Sequence, residues 1–234
     1  MSTLIFNIKT VGEDFESFDE KTKESLTRFI KREPVSEQER LLKNVKDGLG
    51  FSPLTGKIVA VGVFDAEKEK GAVYFDAKNS TIAEKEENGM KFKPMGEKEM
   101  LEHFWRSVSE YETLVSFNGR GFDVPFLKVR SAVHGIRPSK NLMSNRYLGN
   151  QDYDSKHIDL MDQLSFYGAA RRKGNLQLWC RVFGIVGSKT VGIAGAEVKR
   201  LCDEERFEDI AQHNAGDLIA MRALYQHWQK NMAF

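Results

Sequence analysis

The run at residues 57–64 constrains the fold of this chain more than any other feature. It contains three valines, an isoleucine, an alanine and a phenylalanine, a pattern typical of a central strand that is buried on both faces. The turn residues Pro53 and Gly56 precede it and mark its start. Because both faces of such a strand need a covering layer, the run predicts a sheet with helices packed on its two sides.

Local patterns predict three more strands and a mainly helical second half. Short apolar runs predict the strands at residues 4–10, 71–75 and 113–117. Helical spacing of apolar residues predicts two surface helices within residues 14–47 and later helices at residues 97–109, 124–134, 159–167, 175–183, 194–202 and 207–232. The polar segments 78–96 and 140–156 are predicted to be surface loops. We therefore expect one α/β domain over residues 1–234, a mixed sheet flanked by helices on both faces with a helical C-terminal half.

Charge and composition narrow the classes of function. The 234 residues include 35 Lys and Arg against 34 Asp and Glu, and a net charge of +1 provides no overall attraction to nucleic acid. Nucleic-acid binding would therefore need a local basic patch. We expect neither a membrane span, which takes ~20 apolar residues, nor a secretory signal. Cys180 and Cys202 lack the spacing of a disulfide framework or a metal site, so we expect reduced thiols in a cytoplasmic protein.

The first predicted strand carries an unusual polar pair. Asn7 and Lys9 project from the same face, since side chains two apart on a strand point the same way. Two acids at this spacing would supply half of a site for two divalent cations, which prefer oxygen ligands. The chain has an amide and an ammonium there instead.

Acidic residues in three later segments are candidates for a site. Asp123 follows a strand and a loop with two glycines, and it is either a helix N-cap or a site carboxylate. Asp159 is expected to cap the next helix or to support another site residue. His213 and Asp217 lie four residues apart on a predicted helix and share one face, an arrangement that is also common in ordinary surface contacts.

Taken in order, these segments resemble the DEDD, or DnaQ-like, 3′–5′ exonuclease superfamily with its RNase H-like fold. The most similar branch comprises predicted bacterial exonucleases related to the proofreading domain of family-B DNA polymerases. Residues 4–10 occupy the place of the family's Phe-Asp-Ile-Glu-Thr strand, and residues 118–123 match its second motif. Residues 210–217 match the third motif, in which the family usually has Tyr-x-x-x-Asp.

The resemblance implies a mechanism in which four carboxylates hold two divalent cations, about 4 Å apart, that activate water and stabilise the scissile phosphate. Carried over by position, Asp123 and Asp217 remain as catalytic and metal-binding candidates, and His213 replaces the tyrosine. Asn7 and Lys9 occupy the first-motif positions, so that half of the site is degenerate. The expected cofactor is Mg²⁺ or Mn²⁺ if the protein is active, and otherwise no metal or one weakly bound ion.

Charge arithmetic favours a site without the two-metal mechanism. Asn7, Lys9, Asp123 and Asp217 sum to −1, whereas four carboxylates would sum to −4. A divalent cation ~4 Å from the Lys9 ammonium is repelled by about 8 kcal/mol at an effective dielectric of 20. The ammonium is expected to pair with Asp123 or Asp217 in place of metal. Two alternatives remain open: Lys9 deprotonates on metal binding, or acids at 13–14 supply ligands.

The resemblance also implies contacts to nucleic acid. Thr10, Asn118, Arg120 and Phe122 are the candidates, with Phe122 stacking on a base; further basic candidates are Lys128, Arg130 and residues 171–173. The leading hypothesis is a degenerate exonuclease that binds single-stranded 3′ ends, DNA in preference to RNA, or acts through a protein partner. The alternatives are an active metal-dependent exonuclease that uses Asp123, Asp217 and His213, and a non-catalytic protein-interaction module.

Overall fold

A seven-stranded mixed sheet forms the centre of the computed structural model, which describes residues 2–77, 81–185 and 195–233. In chain order its strands are β1 (Thr3–Gly12), β2 (Gly56–Asp65), β3 (Lys70–Phe75), β4 (Lys85–Glu87), β5 (Met90–Pro94), β6 (Thr113–Ser116) and β7 (Lys156–Asp159). Their order across the sheet is β4-β5-β3-β2-β1-β6-β7. The predicted strands at 4–10, 57–64, 71–75 and 113–117 correspond to β1, β2, β3 and β6.

Strand β1 has one continuous partner and one short partner. It is antiparallel to β2 from Leu4 to Gly12, with a register shift between Lys9 and Thr10. Its parallel pairing with β6 covers only Thr3 to Ile5. The second half of β1 therefore presents backbone groups beyond the end of β6, and the loop that follows β6 lies beside them.

Helices cover both faces of the sheet, as predicted. In chain order they are α1 (Glu20–Thr27), α2 (Val35–Gly48), α3 (Glu97–Ser109), α4 (Asp123–Val133), α5 (Leu160–Leu164), α6 (Leu176–Val182), α7 (Gly195–Asp203) and α8 (Phe207–Asn231). Leu4, Phe6 and Ile8 of β1 point to the face that is covered by α3 and α4. Ile5 and Val11 point to the opposite face, which is covered by α5 to α8. Along the described ranges no helix combines the length and the apolar content that a bilayer crossing requires.

A glycine in β2 sets the distance between α8 and the sheet. A Cβ atom at Gly62 would lie 1.9 Å from Asn214 Oδ1 and 2.7 Å from Leu218 Cδ1. The missing side chain thus allows α8 to lie directly on β1 and β2. Asn214 Nδ2 also donates a hydrogen bond to the carbonyl oxygen of Asn7 at 3.3 Å, which ties α8 to the strand that carries the polar pair.

The structure corrects the predicted loops at 78–96 and 140–156. Strand β5 pairs in parallel with β3 and antiparallel with β4, in a segment that was expected to be a loop. Strand β7 begins at the last residue of the second predicted loop and pairs with β6. These strands have three to five residues each, and the partners of β5 in β3 and of β7 in β6 are distant in sequence. The hairpin of β4 and β5 has a local signal in its Asn88-Gly89 turn, where both residues have positive φ, and the prediction of a loop overlooked it. Helix α5 is also shorter than expected, and Ala194 of the predicted helix 194–202 falls outside the described residues.

Candidate nucleic-acid-binding site

The polar pair of β1 meets α8 in a buried ion pair. Lys9 Nζ donates to Asp217 Oδ2 at 2.5 Å, and Asn7 Nδ2 donates to the same oxygen at 3.1 Å. Both ionised side chains are almost entirely shielded from solvent. Of the two partners that the sequence argument allowed for the ammonium, the structure has Asp217. One carboxylate oxygen of Asp217 therefore receives two donors from β1.

Asp123 contacts the open edge of β1. Its Oδ1 accepts a hydrogen bond from the Ile8 backbone N–H at 2.9 Å, beyond the point where pairing with β6 ends. Asp123 is the first residue of α4, and Phe122 occupies the N-cap position, so the N-cap alternative is wrong. Burial, with a smaller contribution from the negative charge of Asp159, raises the pKa of Asp123 to about 7 against the effect of the Ile8 hydrogen bond.

Asp159 holds the loop between β6 and α4. Its carboxylate accepts hydrogen bonds from the backbone N–H groups of Asn118 at 2.8 Å, Arg120 at 2.9 Å and Met161 at 3.0 Å. The last of these caps α5, so Asp159 fills both roles that the sequence suggested. Burial raises the pKa of Asp159, although these three donors favour its charged form. Asn118 has a positive φ of 61°, and the loop is thereby fixed in a tight turn beside β1.

The side chains of Arg120 and His157 connect that loop and the end of β6 to the backbone of residues 142–144. The Arg120 guanidinium donates to the carbonyl oxygens of Leu142 at 3.4 Å and Ser144 at 2.9 Å. This differs from the phosphate contact that was expected for Arg120. The ring of His157 also lies between Leu142 O, 2.9 Å from Nδ1, and Ser116 Oγ, 2.7 Å from Nε2. Burial lowers the pKa of His157 to about 4, so the imidazole is neutral at physiological pH.

The other residues that were predicted to contact nucleic acid differ in their surroundings: some bond to the protein itself, and others are exposed. The Thr10 hydroxyl donates a hydrogen bond to Gly50 O at 2.7 Å, so this hydroxyl supports the turn that contains Gly50. Arg130 is paired with Glu97 on α3 at 2.7 Å, which differs from a phosphate contact. Lys128 and residues 171–173 are exposed. Phe122 is half-buried, and its ring packs against Phe126 with centroids 5.1 Å apart.

His213 lies one helical turn before Asp217 and is half-buried. The pKa of Glu197 on α7 is lowered mainly by Arg200 and to a smaller extent by His213. The acids at 13–14 line a separate cavity of about 470 Å³ that includes none of Asn7, Lys9 and Asp123. This placement argues against their role as replacement metal ligands.

A cavity of about 160 Å³ lies where these elements meet. The residues that line it are Asn7, Ile8, Lys9, Thr10, Phe51, Phe117, Asn118, Phe122, Asp123, Gly195 and Val198. Sequence reasoning missed Phe51, Phe117 and Val198, since none belongs to a motif and only the fold brings them to β1.

A larger cavity of about 760 Å³ includes Thr3, Thr113 and Lys156. It lies at the opposite ends of the parallel strands, away from the edge where open α/β sheets bind ligands. Within the described part of the chain, no three His, Cys, Asp or Glu side chains are grouped to hold a metal ion.

The fold and the site together define a class of protein. A mixed sheet whose β1 is antiparallel to β2 and parallel to β6, with helices on both faces, is the RNase H-like architecture of DnaQ-like exonucleases. The chain belongs to the family of predicted 3′–5′ exonucleases related to the exonuclease domain of PolB, whose model matches residues 54–232. Asp123 and Asp217 lie inside the matched part, whereas Asn7 and Lys9 lie before it.

A solved structure shares the fold. The family B DNA polymerase from the hyperthermophilic archaeon Pyrobaculum calidifontis matches with a TM-score of 0.59 and 15% sequence identity, over 97% of this chain and 24% of that chain. This chain thus spans about a quarter of the length of the polymerase. No curated protein matches the chain.

Proposed function

We propose that this protein binds single-stranded 3′ ends of nucleic acid, DNA in preference to RNA, and hydrolyses them weakly or not at all. The contact that carries the proposal is the one between Lys9 Nζ and Asp217 Oδ2 at 2.5 Å. The ammonium neutralises a carboxylate that the exonuclease mechanism would use to hold a divalent cation. The site then lacks the ions that would cleave a bound strand.

The residues that surround the pair do not fit two divalent cations. Such ions take six or more oxygen ligands each, mainly from carboxylates, carbonyls and water. One oxygen of Asp217 already receives Lys9 and Asn7, and one oxygen of Asp123 receives the Ile8 N–H. Repulsion of about 8 kcal/mol between a nearby divalent cation and the ammonium adds to this shortage of ligands.

The proposal of nucleic-acid binding rests on the position of the loop that follows β6 and on the family relationship. Asp159 fixes the loop in position, which places Asn118 and Phe122 along the cavity. Phe122 supplies an aromatic ring for stacking, and the exposed Lys128 and residues 171–173 remain the candidates for phosphate contacts. The competing explanation is a protein partner that binds at the same cavity in place of nucleic acid.

The test compares the wild type with the double variant Asn7→Asp/Lys9→Glu. We expect the wild type to bind a single-stranded oligonucleotide with an affinity that falls steeply with salt, and to release no labelled 3′ nucleotide with Mg²⁺ or Mn²⁺. The double variant is expected to gain thermal stability with Mn²⁺, since an ion that binds only the native state stabilises it, and to show at least traces of nucleotide release.

A third protein provides the control. Adding Asp217→Asn to the double variant removes the carboxylate from α8 and should abolish the stabilisation by Mn²⁺ and the nucleotide release. If the wild type cleaves as well as the double variant does, the charge argument is wrong and the protein is an active exonuclease. If the wild type fails to bind single strands at any salt concentration, the interaction-module hypothesis replaces the present one.

A further inference from the structure

The turn after α2 brings an exposed aromatic ring to the cavity. This turn is a short 3₁₀ segment, Leu49–Phe51, between α2 and β2. Phe51 is 59% exposed, yet it lines the same cavity as Lys9, Phe122 and Asp123. Phe51 lies before the part of the chain that the family model matches, which begins at residue 54. The family relationship therefore assigns no role to it.

The turn is held rigidly against β1. Thr10 Oγ donates to Gly50 O at 2.7 Å, and Thr55 Oγ donates to Leu49 O at 2.8 Å. The backbones also touch, since a Cβ atom at Gly12 would lie 2.6 Å from Leu49 Cβ and 2.9 Å from Gly50 N. An aromatic ring that is presented by such a turn loses little further freedom when a ligand stacks on it.

The ring packs against the start of α7 and borders a small cavity. The start of α7 approaches the ring so closely that a Cβ atom at Gly195 would lie 2.7 Å from Phe51 Cζ. The cavity of about 160 Å³ is smaller than the ~300 Å³ of pockets that enclose a whole small molecule. It therefore suits a single planar ring system whose sugar and phosphate stay outside.

We infer that Phe51 is a stacking wall for the 3′-terminal base of single-stranded DNA, facing the same cavity as Phe122. This inference rests on the proposed function, because it specifies how the same site holds a DNA end. Stacking on an aromatic ring tolerates every base, so Phe51 contributes affinity without sequence preference. Thr10 acts as a positioning residue that keeps the turn in place through Gly50.

The experiment uses 2-aminopurine, a fluorescent base whose emission is quenched by stacking, placed either at the 3′ end or in the middle of the same oligonucleotide. With the wild type, we expect binding to quench the terminal probe more than the internal one. Phe51→Ala should lose this terminal quenching and bind about 10-fold more weakly, whereas Phe51→Trp should retain both. Phe29→Ala is the matched control, since Phe29 is 46% exposed but does not line the cavity.

The outcomes separate the two proposals. If the wild type binds the oligonucleotide and Phe51→Ala matches it in affinity and terminal quenching, the stacking role is overturned while the proposed function stands. Equal losses in Phe51→Ala and Phe29→Ala would also overturn it. If the wild type binds no single-stranded DNA, the proposed function itself fails and the inference fails with it. Because Phe51 is largely exposed, circular dichroism should find both alanine variants folded.

Discussion

Replacing Lys9 with Met would remove one charge from an ion pair that solvent barely reaches. The two side chains are 9% and 6% exposed, and breaking a buried pair from one side typically costs about 3–5 kcal/mol of folding free energy. Asn7 still donates to Asp217 at 3.1 Å after the change. We therefore expect Lys9→Met to lower the free energy of unfolding by roughly 3 kcal/mol, at the low end of that range.

A double-mutant cycle isolates the interaction between the two charges. Asp217→Asn alone leaves a buried ammonium without its counter-charge, whereas Lys9→Met/Asp217→Asn leaves no charge in the pair. The double variant should lose clearly less stability than the sum of the single losses, with a coupling of about 2 kcal/mol. The matched control is Lys199 with Asp203, four residues apart on α7 and 48% and 61% exposed, for which a coupling of about 0.3–0.5 kcal/mol is expected.

Urea unfolding of the six variants and the wild type supplies all the free energies. A coupling between Lys9 and Asp217 no larger than that of the exposed pair would refute the reasoning. It would mean that the ammonium is not held against the carboxylate in solution, and the argument that it replaces a metal ion would lose its basis.

Two further changes probe the scaffold of the site. Because burial lowers the pKa of His157 from its ordinary 6.5 to about 4, the free energy of unfolding should be fully present above pH 6.5 and fall by up to about 3 kcal/mol as the pH falls to 4. Urea titrations of His157→Gln should show a smaller loss of stability over this pH range, and a loss as large as in the wild type would contradict the prediction. Gly62→Ala should lower the free energy of unfolding by about 1–3 kcal/mol through its clash with Asn214. Gly48→Ala, with no atom within 4 Å, should instead stabilise α2 by about 0.5–1 kcal/mol in the same urea titrations. A Gly62 variant as stable as the wild type would show that α8 is free to shift.

Local sequence patterns predicted the strands and helices in which apolar residues form a long and regular pattern. The apolar run in β2 and the helical spacing at 97–109 are strong over eight or more residues, and both elements were predicted nearly to their ends. Alternation along β1 also placed Asn7 and Lys9 on one face, which is the face covered by α8. Each of these features depends on side chains that are close in sequence.

The pairings of β5 with β3 and of β7 with β6 could not be predicted in this way, because the partner strands are separate segments of the chain. The β4–β5 hairpin does carry a local signal, the Asn88-Gly89 turn, which the prediction of a loop overlooked. The roles of Thr10 and Arg120 are similar cases, because each side chain bonds to a carbonyl group more than 20 residues away.

The sequence by itself determined which chemical groups this protein brings to its site: an amide and an ammonium on β1, and the acids at 123 and 217. Only the tertiary structure decided how these groups pair. Gly62 lets α8 approach the sheet until Asp217 meets Lys9, while the early end of β6 leaves the Ile8 N–H to Asp123. Electrostatic energy depends steeply on distance and burial, and both are properties of the packed helices and strands.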